Sequence, residues 1–374
     1  MNKSAQPLVS VVTPVYNGAE YLAECIESVL TQTYQNWEYV VVDNCSTDGT
    51  LQIARHYAAK DPRIRVHENQ EFLAAIVNHN NALRQISPAS KYCKIVFGDD
   101  WIFPECLEKM VAIAEKYPSV GLVSAYALKG NEVAWDGLPY GSQLVPGREI
   151  CRRHFLEKLY VFGSATTVLY RADLVRERKS FYNPANIHAD TEVCFDLLRT
   201  SDFGFAHQIL TFTRVRPASL REMSDDLQTN LAGTLHTLSA YGRSFFSDDE
   251  FKLLLRQHVT KYYEVLGKSW LLRRKKSFWT YHRKQLVDSQ VGYSRLRLLM
   301  GILTVVLGTV LNPGETLSKV LKMKRKRQQT PSGGQPCYNK KSMPLPCQPR
   351  KPMPTVKQSD IARTPVSITT QHYL

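Results

Sequence analysis

Four apolar runs, each followed by a helical pattern, fill residues 8–117. The first, LVSVVTPVYN (8–17), is Val-rich without interruption, as a strand buried on both faces requires. Behind it, Leu22, Cys25, Ile26, Val29 and Leu30 recur at helical spacing and predict a helix over about Ala19 to Thr31. WEYVVVDN (37–44) predicts a second strand, and Ser46 or Thr47 can cap a helix reaching about Ala59. RIRVHEN (63–69) reads as a third strand and FLAAIVNHNNALRQI (72–86) as the helix after it. The fourth run, KYCKIVFGDD, ends at Asp99 and Asp100, and Pro104 opens a helix to Tyr117.

Strand–helix alternation with short connections predicts an α/β protein with a parallel sheet covered on both faces. In such sheets ligands bind outside the carboxyl ends of the strands. Polar groups stand at all four of those ends: Thr13, Tyr16 and Asn17; Asp43 and Asn44; Glu68 and Asn69; Asp99 and Asp100. Adjacent aspartates after a buried strand are electrostatically costly unless a cation lies near them. A solvated turn capping the next helix would leave the same local pattern, but four polar strand ends are explained more simply by one nucleotide crevice. The first turn reads TPVYNGAEY, so it is neither a GxGxxG fingerprint nor a GxxxxGK[ST] loop. A Rossmann dehydrogenase or P-loop NTPase is therefore not expected, and phosphates should be held through a metal.

The segment VSVVTPVYNGAEYLAECIESVLTQTYQNWEYVVVDNCSTDGT resembles the opening of glycosyltransferase family 2, the inverting enzymes of GT-A fold. The resemblance extends over about residues 7–220. It implies a Rossmann-like, mostly parallel nucleotide-sugar-binding sheet and metal-dependent transfer from a nucleotide-diphosphate sugar to an acceptor hydroxyl. By motif, Thr13, Pro14 and Tyr16, with Asn17 beside them, would line the base and ribose pocket, and Asp43 would accept a hydrogen bond from the base. Asp99 and Asp100 fall on the DxD-type segment that meets ribose and metal. Phe97 stands where many members carry the first Asp, which leaves Asp99 as the ligand of Mg2+ or Mn2+ and Asp100 as its helper.

In NIHADTEVCFDLLRT (186–200), Asp190 aligns with the family's catalytic base and Ala189 replaces the preceding acid. Glu192 is the reserve candidate, although acids in a first helical turn also serve simply as dipole partners. A carboxylate base suits the chemistry, because a sugar hydroxyl is a poor nucleophile near neutral pH. In FTRVRPASLR (212–221), Arg216 takes the place of a family histidine and is expected, with Arg214, to contact the diphosphate. Trp135, Asp136 and Tyr140 are candidate acceptor contacts, and aromatic loop residues also serve as packing anchors.

Charge divides the chain. Residues 1–255 carry a net −5, residues 256–327 a net +14, and the remaining tail +5. The basic stretch contains KSWLLRRKKSFWTYHRK (268–284), LRLLMGILTVVLGTVL (296–311) and KVLKMKRKR (319–327). Its apolar run falls short of the ~20 residues that span a bilayer and predicts either an interfacial helix on anionic lipid or a helix packed on the catalytic domain. No nucleic-acid module accompanies these bases. Three segments are expected: a GT-A domain over 1–225, a helical basic extension over 226–327, and a disordered tail over 328–374 rich in Pro, Ser, Gln and Lys. The eight cysteines form no CxxC pair, and no leader precedes the first strand, which predicts a reducing cytosol and the inner face of the plasma membrane. The expected partners are a nucleotide sugar and a glycan or lipid-linked acceptor. A sugar-1-phosphate nucleotidyltransferase, or an inert binding protein of the same fold, are the alternatives; the former should carry a glycine-rich basic loop after the first strand.

Overall fold

The Val-rich runs form one end of a ten-stranded sheet in a computed structural model that describes residues 6–215 and 226–311. Strands β1 (Val9–Val15), β2 (Trp37–Asp43), β3 (Ile64–Glu68) and β4 (Tyr92–Ile95) lie parallel in the order β3-β2-β1-β4. All seven residues of β1 are buried, the outcome its unbroken apolar run requires. Helices α1 (Leu22–Leu30), α2 (Thr50–Ala58) and α4 (Cys106–Lys116) surround one core with Val9, Val11 and Val41. Helix α3 (Ala75–Leu83) belongs to the other face, with Val12, Val40 and Val42.

Helix α3 starts at Ala75, later than the apolar pattern from Phe72 predicts. The Asn44 amide accepts from the Leu73 N–H at 2.9 Å and donates to its carbonyl at 2.8 Å. Both backbone groups of Leu73 are thereby held outside a helix.

The remaining strands are β5 (Trp101–Ile102), β6 (Val120–Lys129), β7 (Glu132–Ala134), β8 (Leu144–Val145), β9 (Leu169–Arg171) and β10 (Asp202–Thr213). β9 runs antiparallel to both β4 and β6, whereas β6 and β10 are parallel. The sheet is thus parallel at its N-terminal end and mixed beyond β4. Helices α5 (Gly147–Glu157), α6 (Ala172–Arg176) and α7 (Ala189–Leu197) and a short 3-10 turn (Ala165–Thr167) connect these strands.

Register brings the first three strand ends into line. Val15 stands opposite Asp43 and Asp43 opposite Glu68, so β1, β2 and β3 end level. Bonds from Asn44 N–H to the Val15 carbonyl and from Asn69 N–H to the Asp43 carbonyl, both 2.9 Å, continue that row.

Four helices complete the described chain: α8 (Thr229–Phe245), α9 (Asp248–Leu271), α10 (Lys276–Asp288) and α11 (Arg295–Leu311). Residues through Leu311 belong to one compact unit. A capping box of Ser247 and Glu250 starts α9, and Arg152 of α5 reaches Glu250 at 2.7 Å. Leu235, Tyr262, Leu266, Phe278 and Leu286 form a core within the helices. Helix α11 lies on α9 with backbones almost touching: a Cβ on Gly267 would meet Gly301 at 2.5 Å, and one on Gly301 would meet the Tyr263 carbonyl oxygen at 2.2 Å. Its other face carries Leu296, Leu299, Met300, Leu303, Val306, Leu307 and Val310, each 40–68% exposed. No helix among the described residues is long and apolar enough to cross a membrane.

Candidate active site

The level strand ends set the N-terminal candidates side by side. Tyr16 is half-exposed, and its ring meets that of Phe72 edge-on at 4.8 Å. Between them in the strand row lies Asp43, only 3% exposed. One carboxylate oxygen of Asp43 accepts the Ser46 N–H at 3.1 Å; the other is buried and has no protein partner. A buried carboxylate oxygen without a donor is costly, and a ligand N–H would remove that cost.

Other candidates from the same loops have structural duties. Thr13 is fully buried and gives its hydroxyl to the Val96 carbonyl at 2.7 Å, with Tyr39 OH 2.8 Å away. The expectation that Thr13 lines the pocket is therefore corrected: it joins β1 to the end of β4 inside the core. Pro14 is buried in β1. Asn17 adopts φ of +49° and binds the β2 loop, accepting from Thr47 N–H at 2.8 Å and donating its own N–H to Ser46 at 2.9 Å. It shapes the rim as a loop clasp. Glu68 pairs with Arg55 at the surface at 2.6 Å, and Asn69 joins a side-chain network with Asn44, Asn78 and Asn81.

At the end of β4 the two aspartates part company. Asp100 is buried, accepting the Thr166 hydroxyl at 2.7 Å and the Arg214 N–H at 3.0 Å on its two oxygens. Burial, then the charge of Asp99, pushes its carboxyl up to about 7 against those two bonds. Asp99 is half-buried. Arg214 is committed as well, donating to the Asp99 carbonyl at 3.1 Å, pairing with Glu24, and lying over Tyr21 at 4.2 Å. Its expected diphosphate contact is thus replaced by a tie between β10, α1 and the aspartate turn. Arg216 lies outside the described residues.

No group of three or more His, Cys, Asp or Glu side chains able to hold a metal occurs among the described residues. The Asp99 carboxylate is a hard oxygen donor group, and both oxygens of Asp100 accept hydrogen bonds from the protein. That donor set fits magnesium or manganese held chiefly by substrate phosphates, the common arrangement for a cation that keeps few protein ligands.

The second acidic pair starts α7. Glu192 is 7% exposed and surrounded by donors: Asn186 at 2.7 Å, Asn183 at 3.2 Å, His236 at 3.2 Å and Tyr241 at 3.3 Å. Burial acts to raise its pKa, but His236 and the asparagines outweigh it and hold the carboxyl below the usual range. Held by these four side-chain donors, Glu192, the reserve candidate for base, ties α7 to α8. Asp190 instead lines a cavity of about 600 Å³ with Lys129, Trp135, Gly163, His188 and Thr213. Burial raises its carboxyl, while the Thr191 N–H at 2.7 Å and neighbouring His188 pull it back in part.

Two chain segments join the sites. Ser164 and Thr213 line the Asp190 cavity, while Thr166 and Arg214, beside them in sequence, bind Asp100. Trp135, a candidate from sequence, enters this cavity with Lys129 5.6 Å over its ring. Tyr140 projects into solvent, 91% exposed, with His207 beside it, and Asp136 is exposed. Sequence patterns gave no cue to Phe72, Lys129, His188 or Thr213. His188 fits because a Cβ on Gly233 would meet its ring at 2.5 Å, a fit between distant segments.

The family model for glycosyl transferase family 2 matches residues 10–178, a region containing Tyr16, Asp43 and Asp99 but ending before Asp190. EpsE of Bacillus subtilis (strain 168), named as a glycosyltransferase, is 46% identical over 135 residues, covering 35% of this chain and 47% of that protein. TuaG of the same organism, named as a teichuronic acid biosynthesis glycosyltransferase, is 36% identical over 134 residues, covering 36% and 51%. The chain thus spans about half the length of these curated relatives. Among solved structures, S. aureus TarS 1-349 in complex with UDP-GlcNAc superposes with a TM-score of 0.57 at 18% identity, over 79% of this chain and 87% of that one. At that identity the likeness is one of fold. Residues 10–178 thus match glycosyl transferase family 2, within a chain whose fold is similar to that of TarS.

Proposed function

We propose that this protein transfers a glycosyl unit from a nucleotide-diphosphate sugar to an acceptor hydroxyl, with inversion, in the synthesis of a surface polysaccharide or glycolipid. The observation that carries this reading is the unpartnered, buried oxygen of Asp43 at the end of β2. It lies where a parallel sheet receives a nucleotide, beside the exposed rings of Tyr16 and Phe72. A nucleobase N–H supplies the missing donor, and the rings give its faces an apolar wall. TuaG, named for teichuronic acid biosynthesis, supports the polysaccharide context.

Asp190 is the base. Its carboxyl reaches the cavity, and its raised pKa makes it a better proton acceptor near neutral pH than an ordinary aspartate. It takes the proton from the acceptor hydroxyl as that oxygen attacks the anomeric carbon opposite the leaving nucleotide. This single displacement inverts the centre and needs no covalent intermediate. Asp99 would hold a divalent cation together with the diphosphate, and such a cation offsets the negative charge developing on the leaving group. The exposed apolar face of α11, within a strongly basic C-terminal region, supports work at the surface of an anionic membrane on the cytoplasmic side.

Thermal stabilisation by UDP-, GDP- and dTDP-sugars with manganese tests the donor assignment. One nucleotide class should stabilise the wild type and lose its effect in Asp43→Ala; indifference of the wild type to all three would defeat the proposal. EDTA should remove most of the stabilisation. For the membrane, co-flotation with phosphatidylglycerol vesicles should be lost in Leu299→Glu/Leu303→Glu, and wild-type protein that never floats would remove that part of the reading.

A further inference from the structure

We propose that a cavity between α9 and α11 binds one anionic phospholipid, its phosphate on Arg256 and Arg297 and an acyl chain against the apolar lining; that the ligand is a lipid rests on the membrane reading of α11. The two helices meet where Gly301 touches the backbone of Tyr263. Both residues also line a cavity of about 650 Å³, so the close backbone contact forms one of its walls. Gln290 and Val291, in the turn after α10, line it as well. Its volume lies within the range of about 300–1,000 Å³ typical of ligand sites. It shares no lining residue with the Asp190 cavity.

Helix α9 gives this cavity two adjacent rows of unlike character. Leu255, Val259 and Tyr263 recur at four-residue spacing, and Arg256, Thr260 and Glu264 repeat it one position later. From the facing helix come Arg297, Met300 and Thr304. An apolar strip therefore runs beside a polar one, the pattern an amphiphile requires.

Neither Arg256 nor Arg297 has an acidic partner among the described residues. Glu264 pairs with Lys261 at 3.1 Å, an exposed contact of little strength. Two guanidinium groups without counter-charge suit a phosphate, which accepts paired N–H bonds from each. They stand in the stretch 256–327, whose net charge is +14. Met300 lines the cavity and is also 59% exposed in the apolar series of α11. An inorganic anion would use the arginines and leave Val259, Val291 and Met300 unused, and a neutral lipid would do the reverse. An anionic phospholipid engages both, and basic recesses between helices at a membrane are where such headgroups bind.

Isothermal titration of the full chain with dihexanoyl phosphatidylglycerol, kept below its micellar concentration so that no bilayer forms, tests the site. One molecule per chain should bind, at least about tenfold more tightly than dihexanoyl phosphatidylcholine or the deacylated headgroup glycerophosphoglycerol. Arg256→Gln/Arg297→Gln, both at exposed positions, should weaken it about tenfold while leaving the melting temperature and UDP affinity unchanged. Thr260→Trp, also at an exposed position, should weaken it as much by filling the cavity. Leu299→Glu/Leu303→Glu, whose positions do not line the cavity, should retain binding. No saturable binding, equal binding of either comparison compound, insensitivity to the arginine pair or to Thr260→Trp, or loss in a folded α11 variant would overturn the proposal. Flotation on phosphatidylglycerol vesicles, run on the same samples, separates the two readings. Wild type that binds the monomeric lipid but never floats removes the membrane reading and keeps the site, whereas flotation without monomer binding defeats the site alone.

Discussion

Two acidic pairs, Asp99–Asp100 and Asp190–Glu192, divide their labour in the same way but by different means. In each, one carboxylate is buried in hydrogen bonds; of the other two, Asp99 is half-buried and Asp190 lines a cavity. Asp100 receives two donors, and burial with Asp99 nearby leaves its carboxyl raised to about 7. Glu192 receives donors from four side chains and is held below its ordinary range. Burial does not by itself set a carboxyl's charge; the number and charge of donors decide it. Asp99 and Asp190 are the members proposed to act on a ligand.

Four experiments can break that comparison. The largest effect is expected from Asp190→Asn, which should lower transfer about 10³-fold while donor affinity stays within a small factor. Initial rates beside donor titration decide it, and undiminished transfer would remove Asp190 as base. Next, Glu192→Ala should leave four donors unpaired and destabilise the fold by about 2–3 kcal/mol in urea unfolding. Glu192→Gln, which keeps an acceptor, should retain measurable transfer; complete loss in a folded protein would return the base role to Glu192. Asp99→Asn should weaken manganese affinity about tenfold with nucleotide present, whereas Asp100→Asn should act mainly on stability.

The smallest effect is one of pH. His236 is raised by its bond to Glu192, against burial, and Glu192 is lowered overall. The lowered acid contributes stability above its unfolded pKa of about 4.3, lost as pH falls through its folded value. The raised histidine contributes below about 6.5, lost as pH rises through its folded value. Their pair should therefore stabilise most between about pH 4.5 and 6.5, and His236→Ala should cost about 1 kcal/mol there and less at pH 8. Transfer itself should rise with pH on its acid limb, at a pH above the ordinary aspartate range, because the Asp190 carboxyl is raised.

The placing of the N-terminal candidates was legible in the sequence because strand ends in a parallel sheet are a place as well as a pattern. Tyr16, Asp43 and Asp99 follow from that rule. Thr13 misled because both faces of β1 are buried, so alternation gives no clue to which residues meet ligand. Glu192 misled for a related reason: two residues apart on a helix, it and Asp190 point in different directions, and only tertiary packing shows which side holds His236. Phe72 was hidden inside an apparently helical run that Asn44 pulls straight. Lys129, His154 and Thr213 come from separate strands and helices, and their approach is set by the order in which β6, β9 and β10 join the sheet.

The crossing at Gly267 and Gly301 keys α11 to α9 as splines key a shaft. With space for hydrogen alone at both Cα atoms, α11 cannot roll about its long axis without driving side chains into backbone. Its exposed apolar residues are consequently an array of fixed spacing and bearing, unable to turn inward when water is unfavourable. Whatever shields them must approach from outside, and the angle of that approach is already set by two missing methyl groups.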